Sequence, residues 1–173
     1  MSDIDPNTAA DFFALVLLVG AVLLAAALTR PAARAALAAD AVRLSALVAA
    51  GATGGSLYFS EVANFQPCQL CWFQRIAMYP IAVIGVLATV RRDRAVLPYL
   101  GALAGIGGAV SLYHIYIQAY PERSSVCDAS VPCSSRLVEG LGWMTIPQMA
   151  AVSFAVIITL TVLGTRVDRK ASR

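Results

Sequence analysis

Cys68 and Cys71, with two residues between them, stand where a polar loop gives way to a long apolar run, in the stretch Gln66-Pro67-Cys68-Gln69-Leu70-Cys71-Trp72-Phe73-Gln74-Arg75. A helix starting near Pro67 would place Cys68, Cys71 and Arg75 at i, i+3 and i+7, on one face. A dithiol and a fixed positive charge at a membrane boundary suit electron transfer from thiols to an acceptor dissolved in lipid. The helix start and the guanidinium both favour a thiolate, expected here at Cys71. A second pair, Cys127 and Cys133, lies in a later polar stretch with five residues between its members. Two pairs of thiolates are also the raw material of a zinc site. The wide second spacing, without a knuckle-like turn, argues against zinc, and zinc would leave Arg75 unexplained, so no metal is expected. Inert structural disulfides remain open on spacing alone.

These residues need elements to hold them, and the composition says where those elements are. Hydrophobic residues make up 59% of the 173 and charged residues 13%, with a mean hydropathy of +0.73. Soluble domains carry about 25% charge, so a membrane protein is expected, and the length leaves no room for a separate soluble domain. Five apolar runs follow one another, at about 12–28, 44–59, 72–90, 95–117 and 147–164. The first is a little short for the hydrocarbon core but within the usual range for a span. It is preceded by Asp3, Asp5 and Asp11 rather than by basic residues, which favours a span over a signal peptide. Glycines in the second run (Gly51, Gly54, Gly55) and the fourth (Gly101, Gly105, Gly107, Gly108) predict close helix packing.

Five spans put alternate connections on opposite sides. One side collects Arg30, Arg34, Arg43, Arg91, Arg92, Arg94 and the basic tail residues Arg166, Arg169, Lys170 and Arg173. The other holds the N-terminus and both cysteine-bearing loops, with Arg75, Arg123 and Arg136. By the positive-inside rule the first side is cytoplasmic, so every cysteine faces outward, where disulfides persist. Most acids, including Glu61, Glu122, Asp128 and Glu139, fall on the outer side as well. His114, the single histidine, falls late in the fourth run; on position alone it reads as a packed or interfacial residue. Tyr113, Tyr116, Tyr120 and Trp143 read as an interfacial aromatic belt, and 137–144 as a frail helix lying flat on the outer surface.

The run from Gln66 to Arg75, continued by Met78-Tyr79-Pro80, resembles the DsbB family of membrane disulfide oxidoreductases, and particularly its shorter BdbC branch. His114 ahead of Ile115-Tyr116-Ile117-Gln118, then Cys127, Cys133-Ser134 and Ile146-Pro147-Gln148, extend the resemblance. It implies an all-α, polytopic membrane helical bundle with a four-helix core over 44–164, to which the first apolar run adds one extra N-terminal transmembrane helix within 1–43 and the basic residues at the end a cytoplasmic tail over 165–173. That extra helix departs from the family pattern, and Cys127 and Cys133 stand closer together than in the longer enterobacterial-type enzymes. The resemblance also implies a relay in a bacterial cytoplasmic membrane. A thioredoxin-fold, DsbA-like extracytoplasmic oxidase would meet Cys127, and Cys133 would link to Cys68. Cys71 would face a quinone (ubiquinone or menaquinone), with Arg75 and His114 in the quinone pocket. No nucleic-acid partner is expected. Two rival readings are a vitamin-K-epoxide-reductase-like quinone reductase, whose reactive CxxC lies later in the bundle, and a structural or chaperone-like membrane subunit with inert disulfides.

Overall fold

The computed structural model describes residues 5–123, 127 and 131–171; Asp3, Asp128 and Arg173, counted above in the charge balance, fall outside the described residues. The chain is an all-α polytopic bundle. Its helices are α1 (Pro6–Leu28), α2 (Pro31–Ala39), α3 (Ala41–Leu57), α4 (Gln69–Arg91), α5 (Leu97–Ala119) and α6 (Ile146–Ala171). Four of them (α1, α4, α5 and α6) are individually long and apolar enough to cross a membrane. α2 and α3, the latter continued through a π-helical turn, Tyr58–Val62, are long and apolar enough only as a pair, bent by 72° at the break between them, and make a fifth crossing when counted as one span.

Local chemistry sets the ends. Asp5 caps α1 by accepting the Thr8 N–H at 3.2 Å, and Pro6 occupies the first turn, where its missing N–H costs nothing. Pro31 opens α2, which is mostly alanine. The charge order places this stretch, with Arg30 and Arg34, in a connection on the cytoplasmic side, and it is helical there because alanine's helix propensity needs no packing partner to act. Arg94 then fastens the end of the bundle remote from the cysteines. It donates to the carbonyls of Ala38 and Ala39, which α2 itself cannot satisfy, and pairs with Asp168 of α6 at 3.0 Å.

The four-helix core packs α3 on α4 and α6, and α5 on α4 and α6. Its centre is Ala49, Met78, Ile81, Leu100, Phe154 and Ile157. Lipid offers helices no hydrophobic drive to associate, so close van der Waals contact has to hold them. Gly107 supplies it on α5: the Phe154 ring fills the place a Cβ would take. On the α3–α4 seam the close approach is Gly85 against Ala46, not the glycines of α3. A Cβ on Gly51 or Gly54 would meet nothing within 4 Å, and only Gly55 touches a neighbour, the Phe13 ring.

The connection before α6 also departs from expectation. Residues 137–144 form no helix. Leu141 (φ 55°) and Gly142 (φ 76°) are both left-handed, which reverses the chain and closes a bridge between Gly140 and Met144. The hairpin tucks against α1, with Val138 and Met144 buried beside Ala10 and Ala14. The Leu141 N–H donates to Asp11 at 2.6 Å.

Gly107→Ala is expected to destabilise the bundle by about 1–3 kcal/mol, because the Phe154 ring must move. Gly105→Ala, where a Cβ meets open space, is expected to be neutral or slightly stabilising. Thermal unfolding in a fixed detergent, run on both variants, checks the contrast; equal losses would remove the packing role given to Gly107.

Candidate redox site

Cys68 is the N-cap of α4. Its backbone is extended (φ −69°, ψ 171°), which turns Sγ back over the first turn to accept the Cys71 N–H at 3.4 Å. The thiol therefore occupies the place where a serine or aspartate usually caps a helix. The sequence reading gave the benefit of the helix start to Cys71, yet the acceptor position belongs to Cys68. The two sulfurs lie 2.9 Å apart, both free cysteines. Hydrogen bonding from the Cys71 thiol holds the Cys68 thiol far below its ordinary value of 9.0, at about 4. Burial opposes this, while His114 and the Cys71 N–H add to it.

Cys127 and Cys133 form a disulfide. Cys133 is buried and Cys127 half-buried. The Cys68 and Cys133 sulfurs and a ring nitrogen of His114 all lie within 4.8 Å of one another. Nε2 of His114 is 3.0 Å from the Cys133 carbonyl oxygen and 3.6 Å from Cys68 Sγ. A carbonyl only accepts, so Nε2 carries the proton and leans toward both cysteine loops. Nδ1 is buried with no hydrogen-bond partner among the described residues. As a metal site this trio is deficient: the Cys133 sulfur is spent in the disulfide, leaving two of the four ligands structural zinc takes.

Arg75, one turn deeper than Cys71, does not reach back to the membrane surface. It is 9% exposed, and it crosses to α3, donating from Nε to Ser56 Oγ and from Nη2 to the Ser56 carbonyl, both at 2.9 Å. The guanidinium also lies over the Trp72 ring, 5.2 Å from its centroid. Ser56 immediately precedes the end of α3, where the helix slackens into its π turn. Such turns recur beside functional sites. Gln74 meanwhile donates to Ser111 of α5 at 3.1 Å. The sequence reading missed Ser56, Gln74 and Ser111. Their signal was present, since a polar side chain inside an apolar helix finds a partner across the bundle.

Two cavities meet at this point. A small one of about 240 Å³ is lined by Cys68, Cys71, Cys133, His114, Gln118 and Thr145 among others. A large one of about 800 Å³ runs between α1, α3, α4 and α6, and its walls are apolar almost throughout; Cys71, Gln74 and Arg75 are polar exceptions. Of the four cysteines, Cys71 alone lines both, and Cys127 lines neither. Arg75 and His114, expected in one pocket, are thus apart: Arg75 borders the large cavity and His114 the small one. On and just past α5 the exposed Tyr113 stacks on Tyr116, which meets Tyr120 at a tilt, and Trp143 is exposed. None of the four lines either cavity.

Residues 38–164 match the family described as "Disulfide bond formation protein DsbB". Disulfide bond formation protein C of Bacillus subtilis (strain 168) is 43% identical over 106 residues, covering 60% of this chain and 77% of that protein. A probable disulfide formation protein of Oceanobacillus iheyensis is 43% identical over 116 residues, covering 65% and 79%. The SPbeta prophage-derived disulfide bond formation protein B of Bacillus subtilis (strain 168) is 40% identical over 106 residues, covering 61% and 72%. No solved structure matches. With a match across all four core helices and both cysteine pairs, the chain belongs to the DsbB family, as a multi-pass membrane protein of disulfide bond formation.

Proposed function

We propose that this chain reoxidises an extracytoplasmic thioredoxin-fold dithiol oxidase and passes the electrons to a membrane quinone, with Cys68, Cys71, Cys127 and Cys133 as the catalytic residues. The working unit is the four-helix core over 44–164. The cysteine end and the N-terminus face outward from a bacterial cytoplasmic membrane, and the arginine-rich end faces the cytoplasm, as the positive-inside rule has it. The carrying observation is Cys71, whose sulfur touches Cys68 on the thiol side and lines the apolar cavity on the other.

The relay follows from thiolate–disulfide exchange. A thiolate of the reduced partner attacks Cys127 Sγ of the Cys127–Cys133 disulfide, and Cys133 leaves as a thiolate. Cys133 attacks Cys68 of an oxidised Cys68–Cys71 pair, forming Cys68–Cys133 and releasing Cys71. The partner's second thiolate then resolves its bond to Cys127. Cys127 returns to Cys133 and expels Cys68. The result is an oxidised partner, a Cys127–Cys133 disulfide and two reduced thiols at Cys68 and Cys71, which is the bonding pattern of this structure. The large cavity fits a quinone by its apolar walls and by the thiol and guanidinium set among them. When bound, a quinone accepts two electrons and two protons from the dithiol. Cys71 and Arg75 would hold its ring, Arg75 through Nη1, the guanidinium nitrogen not used in the two Ser56 contacts. His114 stays on the thiol side, steadying Cys68 and the Cys133 backbone. Purified protein given a reduced thioredoxin-fold partner and quinone is expected to form quinol; no turnover with either ubiquinone or menaquinone would sink the reading.

The low pKa of Cys68 gives a pH test with a definite sign. The folded chain keeps the thiolate down to about pH 4, whereas an ordinary thiol protonates below 9.0. The associated stabilisation is complete above the ordinary value and disappears as pH falls through about 4. Alkylation of Cys68, followed by peptide mass spectrometry, is therefore expected to be flat with pH across the neutral range. In Cys71→Ala, which removes the main hydrogen bond, the rate should climb toward alkaline pH as for an ordinary thiol. A steep profile in the unaltered protein would count against a Cys68 thiolate.

Arg75→Gln is expected to raise the apparent KM for quinone by more than about tenfold, roughly 1.4 kcal/mol of lost binding. Arg75→Lys should be intermediate, because a point charge cannot reproduce the planar fork. Disulfide exchange with the protein partner should be nearly unchanged in both. Steady-state kinetics with quinone varied checks this, and unchanged quinone kinetics in Arg75→Gln would restrict the residue to tying α4 to α3.

A further inference from the structure

The family match starts at residue 38, so α1 lies wholly outside it. This helix is fixed at its two ends. Near the cysteines, Ala10 and Ala14 are buried against the 137–144 hairpin, and Asp11 accepts the Leu141 N–H. A Cβ on Gly140 would lie 2.7 Å from the Ala10 carbonyl oxygen, so the hairpin is pressed onto α1. At the other end α1 packs on α2, which packs on α6. Between these attachments the large cavity opens, with Val16, Gly20 and Leu24 of α1 on one side and Leu47, Gly51 and Gly55 of α3 among the walls facing it.

The shape of that space is informative. Its lining on α1 extends from Phe12 to Ala27, which at helical rise is about 22 Å. Most of its polar lining gathers toward the cysteine end, at Ser56, Ser60, Gln66, Cys71, Gln74 and Arg75, and along the long remainder Tyr79 and Ser153 stand among apolar side chains. Two glycines keep it open, since a Cβ on Gly20 or Gly51 would meet nothing within 4 Å. A ring alone would fill the polar end and leave most of the slot empty.

We propose that α1 is the outer wall of a slot that holds the isoprenoid chain of the quinone, so that this added helix makes the chain selective for long-tailed acceptors. The inference rests on the quinone reading above. A ring placed at Cys71 and Arg75 would have its tail directed along α1 and α3, away from the disulfide loops.

The test uses the full chain in lipid nanodiscs, with a long-chain quinone and the same ring lacking its chain, in both benzoquinone and naphthoquinone forms. Binding is read from quenching of tryptophan fluorescence and from the quinone retained through purification. Gly20→Leu and Gly51→Leu fill the slot from opposite walls. Gly54→Leu is the control, because its Cβ also meets open space but Gly54 does not line the cavity. Both slot variants are expected to weaken long-chain binding by about tenfold or more and to leave ring-only binding within about twofold, with the control unchanged in both. Equal weakening of long and short forms, or no change in either slot variant, overturns the role of α1. Co-purification of phospholipid in place of quinone overturns it as well. Failure of the unaltered protein to bind any of the probes overturns the quinone reading itself, which separates the two failures.

Discussion

The close contact of Cys68 with Cys71 at the head of α4 is the interaction on which the remaining arrangement depends. An extended residue at the N-cap is what brings Cys68 Sγ back over the helix end, within reach of Cys71, His114 and Cys133 together. Its depressed pKa would also give the proposed relay a direction. A thiol of low pKa is a weaker nucleophile but a faster leaving group. Joined to Cys133, Cys68 is therefore the sulfur readily expelled when Cys127 returns. In the proposed relay the electrons run inward for that reason, toward the Cys68–Cys71 pair and away from the loop that meets the partner.

A full positive charge one turn further into an apolar helix has to be compensated, and the compensation shapes the neighbouring helix. Arg75 takes both the hydroxyl and the carbonyl of Ser56. That carbonyl lies where α3 loosens into its π turn, so the guanidinium and the irregular backbone answer each other's needs. Stacking on Trp72 screens one face of the guanidinium. The residue is thereby held within the bundle at modest cost, with donor capacity left beside the large cavity.

How much of this was legible in the sequence differs from residue to residue. The spans, the CxxC at a helix start and the division of arginines from cysteines all follow from hydropathy and charge order, which are properties of the chain itself. His114 and Arg75, assigned together from a family pattern, border different cavities, because the side a residue presents depends on how α4 and α5 are rotated against each other. The 137–144 stretch has a helix-like polar-apolar mix, but two successive left-handed residues and the nearby α1 surface decided for a hairpin. The glycines of α3 carried the right signal and the wrong inference: small residues permit close packing, and equally they leave space when no helix moves in.

That space gives the division between the two cavities a physical meaning. Thiol exchange needs thiolates, proton donors and an approaching protein, and the small cavity supplies Cys68, Cys133 and His114. An acceptor with a lipid tail needs an apolar surface that continues into the bilayer. Were one pocket to serve both, the partner's thiols would have direct access to the acceptor and could attack it outside the ordered exchange. In the proposed relay, routing electrons through Cys71, the one cysteine lining both spaces, would confine contact between protein thiols and the acceptor to a single half-buried step. The extra helix strengthens this separation from the far side, since α1 both walls the large cavity and, through Asp11 and Leu141, steadies the hairpin near the small one.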